Sequence, residues 1–329
     1  MSPPASAPPA PAGGPVAPRG LLDRRFLIIS GQGGVGRTTV AAGLARAASH
    51  AGKRVLIAQM DSPERLGRLL GHPAGIGPEV TPVSEGLDAV NMTAKTALHQ
   101  YGLMTLRFEA LYRTVFENRA VQGFLDAIPG LDAFAMMGKA WWHTTERQGG
   151  RPRYDLVILD APASGHAVTM LRIPRAILDA IPSGPLTRDA AAMSELFHDP
   201  LRTAFVIVTL AEELPARETV ELARTVRTSL ELPLGPLVVN GLPPDELAGS
   251  DFTTVLGRLQ GGTGDPALDA TLAAASLLAT RRREASEVLD QLRRDPALPI
   301  VELPRFPTTD VGPAEIDELA MMLYERLRA

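Results

Sequence analysis

The sequence predicts an α/β protein: a doubly wound, mainly parallel sheet with an inserted helical subdomain. Three observations predict it. Short apolar segments alternate with helical ones along most of the 329 residues, the pattern of strands paired in parallel through crossover helices. The first apolar segment runs directly into a glycine-dense turn and an alanine-rich helix, and a second apolar segment follows. That opening unit is βαβ, with a right-handed crossover. From about Thr93 to Glu146 the pattern turns wholly helical, which interrupts the alternation and marks an insertion.

Each element follows from local chemistry. Residues Met1 to about Gly20 hold seven prolines and five alanines with almost no bulky apolar side chain. Such a segment buries too little surface to offset its ordering entropy, so 1–20 is expected to be a disordered tail ahead of one folded domain, 21–329. Strand 25–30, helix 38–51 ending at Gly52 and strand 54–59 make the βαβ unit. The Gly- and Pro-rich passage 71–82 reads as a loop, and 87–92, which alternates, as an edge strand. The helical insert, about 93–150, breaks at Pro129-Gly130 and carries Met104, Phe108, Phe116, Met136, Met137, Trp141 and Trp142. Apolar spacing of this kind favours an ordinary helical core; clustered methionines also allow an adaptable surface for a hydrophobic or membrane-protein client. Strands at 154–160, 203–210, 235–240 and 300–303 follow, with helices over 216–230, 266–293 and 314–328. In the last helix Ile316, Leu319, Leu323 and Leu327 share one face.

Composition excludes several functions. The formal net charge is -4, so no basic footprint for nucleic acid is present. There is no cysteine, which rules out disulfides, thiolate zinc sites and thiol capture of soft metalloids. The apolar runs are strand-sized and the N-terminus lacks a secretory leader, so a cytoplasmic protein is expected. Only three lysines (Lys53, Lys95, Lys139) stand against thirty arginines, a bias that supplies a neutral reason for any lysine-to-arginine exchange.

The chemistry gathers where strands end. Gly31-Gln32-Gly33-Gly34-Val35-Gly36-Arg37-Thr38-Thr39 has the layout of a phosphate-binding P-loop. Its glycines let backbone N–H groups curl inward, and the helix N-terminus adds partial positive charge. Thr38 falls where a hydroxyl would ligate Mg²⁺. In open α/β sheets ligands sit at the carboxyl ends of strands. Asp61 follows the second strand, Asp160 to His166 follow the third, and Asn240 lies near the end of a later one. A phosphate cradle, two carboxylates for a Mg²⁺ shell and an amide for a base edge are the parts of a nucleotide site. Blander readings exist: Asp61 as a helix cap, His166 as a turn residue, Asn240 before Gly241 as turn chemistry.

Gly-x-Gly-Gly-Val-Gly-Arg-Thr-Thr resembles the deviant Walker A motif, KGGxGKT, of the ArsA and tail-anchored-protein-targeting ATPases. Asp160 to Pro174 (DAPASGHAVTMLRIP) resembles that family's second switch segment, DTAPTGHTLR followed by LxLP. Pro129-Gly130, Glu212-Glu213-Leu214-Pro215, Glu218-Thr219 and Val238-Val239-Asn240 extend the likeness over roughly residues 25–325. The resemblance implies a P-loop NTPase of the SIMIBI type and a dimeric switch that binds ATP and Mg²⁺. By position, Gly33, Gly34, Val35, Gly36, Arg37, Thr38 and Thr39 would hold phosphates, with Thr38, Asp61 and Asp160 around the metal. Gly165 and His166 would lie in switch II and Asn240 against adenine.

Three positions depart from the family's pattern, and all three concern the chemistry. Arg37 replaces the P-loop lysine, and a planar guanidinium is a poor substitute for a compact ammonium in a cramped loop. Gln32 replaces the signature lysine that reaches the partner's phosphates across the dimer; it carries no charge for developing phosphoryl oxygens. Aligned without gaps to the first switch segment, DPAHNLSD, residues 61–68 put Arg68 at the water-positioning aspartate, with Glu64 the nearest carboxylate. Phosphoryl transfer depends on positioning and charge stabilisation, so the sequence predicts nucleotide binding with slow hydrolysis, in a homodimer or, preferably, a heterodimer with an intact paralogue. A fully active ATPase and a client-targeting factor are the competing readings.

Overall fold

The structure is a computed structural model that describes residues 20–62, 65–106, 130–244, 254, 257, 263–308 and 310–328. After a 3-10 turn at Leu21–Asp23 the chain runs β1 (Phe26–Gly31), α1 (Arg37–His50), β2 (Val55–Met60), α2 (Leu66–Leu70), β3 (Thr81–Ser84), β4 (Leu87–Met92), α3 (Ala94–Leu106) and α4 (Leu131–Thr145). It continues through β5 (Arg147–Gln148), β6 (Arg151–Pro152), β7 (Leu156–Asp160), α5 (Ser164–Ala180), α6 (Pro185–His198), β8 (Thr203–Leu210) and α7 (Glu213–Thr228). The last elements are β9 (Leu234–Leu242), α8 (Pro266–Arg294), β10 (Ile300–Pro304) and α9 (Pro313–Arg328).

Eight strands form one sheet in the order β10-β9-β8-β1-β7-β2-β4-β3, and a separate hairpin pairs β5 with β6. Every pairing in the large sheet is parallel except β3 with β4. The central strands β1, β2 and β7 are buried along their whole length, as a parallel sheet covered on both faces requires. Alternation assigns their side chains to two cores. Phe26 and Ile28 of β1 join Val157 and Leu159 of β7 under α4, α5, α6 and α7. Leu27 and Ile29 join Leu156 and Ile158 under α1, α2 and α9. Phe26 stacks on Phe197 of α6 at 5.5 Å between ring centroids; full burial of such a side chain stabilises by roughly 1.5–3 kcal/mol.

The fold class is as the sequence predicts, with two corrections. Residues 81–84, placed in the 71–82 loop or left unassigned, form β3, and its antiparallel pairing makes β3 rather than 87–92 the edge of the sheet. Its burial alternates in short period with Pro82 inside it, and proline is tolerated there because edge strands leave backbone donors unpaired. The insert closes in the β5–β6 hairpin rather than in helix. Of its apolar side chains, Phe134, Met136 and Met137 are buried in the core and Trp141 packs half-buried against it, while Trp142 is half-buried beside a surface pocket. Phe108, Phe116, the 1–19 part of the tail and Glu64 lie outside the described residues. Among the described residues no helix is long and apolar enough to cross a membrane.

Candidate functional site

The order of the sheet decides where the site lies. β1 sits between β7 and β8, so the loop leaving β1 emerges with the ends of both neighbours beside it. Gly31 closes the strand at φ 156, in register with Val208 of β8, and a Cβ there would stand 2.0 Å from the Val208 carbonyl oxygen. No other residue type fits that approach. Gly36 caps α1 at φ 90, and its Cβ would stand 2.3 Å from Asn240 Nδ2. Asn240, near the end of β9, donates that amide to the Val35 carbonyl at 3.0 Å, tying β9 to the loop. Gly33 and Gly34 are exposed, with no heavy atom within 4 Å of where a Cβ would sit. The N-terminus of α1 has no side-chain cap, leaving its first N–H groups for an anion.

On the β7 side a hydrogen-bonded cluster meets the loop. The Thr38 hydroxyl donates to Asp160 Oδ2 at 2.7 Å, and Gln59 Nε2 donates to the same oxygen at 3.1 Å. Asp160 is 5% exposed. Its burial pushes the carboxyl pKa up, opposed by the Thr38 hydrogen bond, the Arg37 charge and the Gln59 hydrogen bond. Ser30 Oγ donates to the Pro162 carbonyl at 2.9 Å, which pins the segment after β7 to the end of β1.

The three exceptional positions all find partners within the chain. Arg37 Nη1 donates to the Ala161 carbonyl at 2.5 Å, so the guanidinium turns toward the segment after β7. Burial lowers its pKa, with Asp160 opposing. Gln32 Nε2 donates to Glu218 Oε1 of α7 at 3.1 Å. Arg68, on α2, pairs with Asp310 at 3.1 Å, with both side chains exposed. Asp61 follows β2 at φ 36 with an exposed side chain, and its N–H donates to the Met92 carbonyl at 2.7 Å. Gly165 and His166 are exposed on the first turn of α5. Thr39 is buried beneath the loop and Val35 is 1% exposed, so of the loop's side chains Thr38 alone is directed to the carboxylate. Beyond Asn240, a cleft of about 750 Å³ opens between α7 and α8, with Arg217, Arg281 and Arg305 on its walls.

An open glycine face, an uncapped helix and a hydroxyl–carboxylate pair at the loop's root can hold a phosphate, and comparison of the sequence with known proteins points the same way. The family model described as "Anion-transporting ATPase" matches residues 24–182, from β1 through the whole of the segment after β7. The matched segment, residues 24–182, belongs to the ArsA/GET3-like family of P-loop ATPases. It is similar to ATPase BagA of Mycobacterium tuberculosis, 27% identical over 240 residues, covering 71% of this chain and 70% of that protein. It is similar to the arsenical pump-driving ATPase of Escherichia coli, 26% identical over 69% of this chain and 41% of that protein. ATPase GET3 of Kluyveromyces lactis is 24% identical over 66% of this chain and 72% of its own length.

The residues present fit a nucleotide and its divalent cation. The loop offers backbone donors to phosphates, Thr38 keeps oxygen lone pairs while donating to Asp160, and Gln59 Oε1 is buried with no hydrogen-bond partner among the described residues, an acceptor beside the carboxylate. Such a cation would supply charge neutralisation between phosphate oxygens. Gln59, Ser30 and the Ala161 carbonyl were not among the sequence-predicted site residues. For Gln59 the signal existed: it is the one polar residue in the run Val55–Met60.

Proposed function

We propose that this chain binds Mg²⁺·ATP as a nucleotide-gated dimeric switch and hydrolyses it slowly on its own, reaching full turnover with an intact paralogue of the family. The observation that carries this reading is the direction of Arg37. Its guanidinium donates to the Ala161 carbonyl, while a P-loop lysine would place its charge between the β- and γ-phosphates. Backbone N–H groups and Thr38 still bind phosphate and cation; the side-chain cation that follows charge in the transition state is turned aside. Gln32, held by Glu218, adds no charge, and a homodimer lacks the signature lysine in both sites. An intact partner would donate its own lysine across the interface.

The experiment measures ATP binding and turnover by the purified chain alone and mixed with an intact family member encoded nearby. The reading expects binding by the chain alone, little turnover, and a rise on mixing beyond the sum of the separate rates. Turnover by the homodimer at a rate comparable with intact relatives would end it.

A further inference from the structure

We propose that Gln59 is a positioning residue of the metal side of this site, holding Asp160 with its amide nitrogen and accepting from a water of the divalent cation's shell with its carbonyl oxygen. The inference rests on the nucleotide-binding reading above and adds to it a residue outside the recognised motifs. β2 is apolar and buried from Val55 to Met60 apart from Gln59, which is 1% exposed. Alternation places Gln59 on the same face as Val55 and Ile57, the face covered by α1. In the sheet Gln59 is the register partner of Asp160 on β7. Glutamine is therefore the side chain of β2 that reaches the carboxylate and the root of α1 together.

Its two ends are unequally satisfied. Nε2 donates to Asp160 Oδ2 at 3.1 Å, the oxygen that Thr38 also reaches at 2.7 Å. Two donors on one oxygen fix the carboxylate's rotation and leave Oδ1 without a hydrogen bond among the described residues. Gln59 Oε1 is buried and has no hydrogen-bond partner among the described residues. A buried carbonyl oxygen with no donor is costly and rare, and such atoms call for an absent water or ion. A leucine of similar volume would fill the same space without that cost. A cation held by the Thr38 hydroxyl would bring its coordinated waters to this carboxylate, and each such water is a strong donor. The amide then serves both roles without moving: donor to the carboxylate, acceptor from the shell.

The test is a titration of the full-length chain with a fluorescent ATP analogue, in Mg²⁺ and in EDTA, for wild type, Gln59→Leu and Gln59→Glu, with melting temperatures recorded for each. The expected result is that Gln59→Leu binds in EDTA as wild type does and loses about tenfold of the Mg²⁺-dependent gain, one water-mediated contact's worth. Its melting temperature without ligand changes little, because loss of the amide donor to Asp160 is offset by loss of the unpartnered oxygen, whereas a purely structural role predicts a lower melting temperature with an undiminished Mg²⁺-dependent gain. Gln59→Glu keeps an acceptor oxygen at the same reach but replaces the donor to Asp160 with a second carboxylate, so its melting temperature without ligand falls while the Mg²⁺-dependent gain is retained, the cation offsetting the paired charges. An undiminished Mg²⁺ gain in Gln59→Leu overturns the inference alone. A wild-type chain with no nucleotide affinity in either buffer removes the underlying reading and this inference with it.

Discussion

Replacing Arg37 with lysine tests whether the loop's cation has been diverted, because the structure predicts opposite effects on stability and on affinity. The guanidinium donates a 2.5 Å hydrogen bond to the carbonyl of Ala161, a residue 2% exposed. A hydrogen bond involving a charged group contributes about 1.5–3 kcal/mol. Lysine lacks the planar fork that makes this contact from α1, so the unliganded protein should lose that amount. For a chain of this size the loss corresponds to a fall of about 2–4 °C in melting temperature. The ammonium, free of Ala161, can reach phosphates above the loop, where one charge-assisted contact strengthens binding by about tenfold to a hundredfold. Calorimetric titration with Mg²⁺·ATP and a melting scan without ligand measure the two sides. Turnover should remain low, since Gln32 and Arg68 are unchanged. An unaltered melting temperature together with unaltered or weaker ATP affinity would refute the claim that Ala161 holds Arg37 away from the phosphates.

Two further predictions use the same geometry. Gly31→Ala would set a Cβ 2.0 Å from the Val208 carbonyl oxygen and should cost more than about 3 kcal/mol, whereas Gly33→Ala meets open space and should change stability by less than about 0.5 kcal/mol; urea unfolding of the pair distinguishes strand closure from loop chemistry. Asp160→Asn should raise the melting temperature of the unliganded protein at neutral pH while abolishing the Mg²⁺-dependent part of nucleotide binding. Burial raises the folded pKa of Asp160 above its unfolded value, so the folded state binds the proton more tightly and wild-type stability falls as pH rises through the interval between them. The advantage of the asparagine should therefore shrink as the pH is lowered toward the unfolded value near ~4, and an advantage independent of pH would contradict the assignment.

The fold was legible because its signals are local and repeated. The run Arg25–Ser30, the glycines to Gly36 and the alanine-rich helix each specify one conformation, and β8 has the predicted limits, Thr203–Leu210. β3 was hidden because four residues with a proline and polar neighbours give no periodicity, and the strand exists only through pairing with β4. At the site, the motif residues were legible as types but their directions were not. Nothing in the order Gly36-Arg37-Thr38 says that the guanidinium turns to the Ala161 carbonyl, 124 positions away in sequence. That contact depends on β7 lying next to β1, a fact of topology. Gln59 escaped for the complementary reason: a glutamine is ordinary in a sequence and exceptional only once the strand around it is seen to be buried.

Topology also gives the three departures a common physical form. Gln32 is tied to α7 through Glu218, Arg37 to the segment after β7 through Ala161, and Arg68 to the turn before α9 through Asp310. The first two tie the loop to two elements that a nucleotide would have to engage. A ligand that binds through backbone N–H groups leaves both ties intact and meets no competition from them. One that needs a cation at its terminal phosphate must first detach Arg37, and the free energy of that detachment is subtracted from its affinity. The penalty falls on the ligand with the extra phosphate. An arginine anchored in this way therefore narrows the difference between tri- and diphosphate, the difference on which a nucleotide switch runs, unless a partner supplies the missing charge from outside the chain.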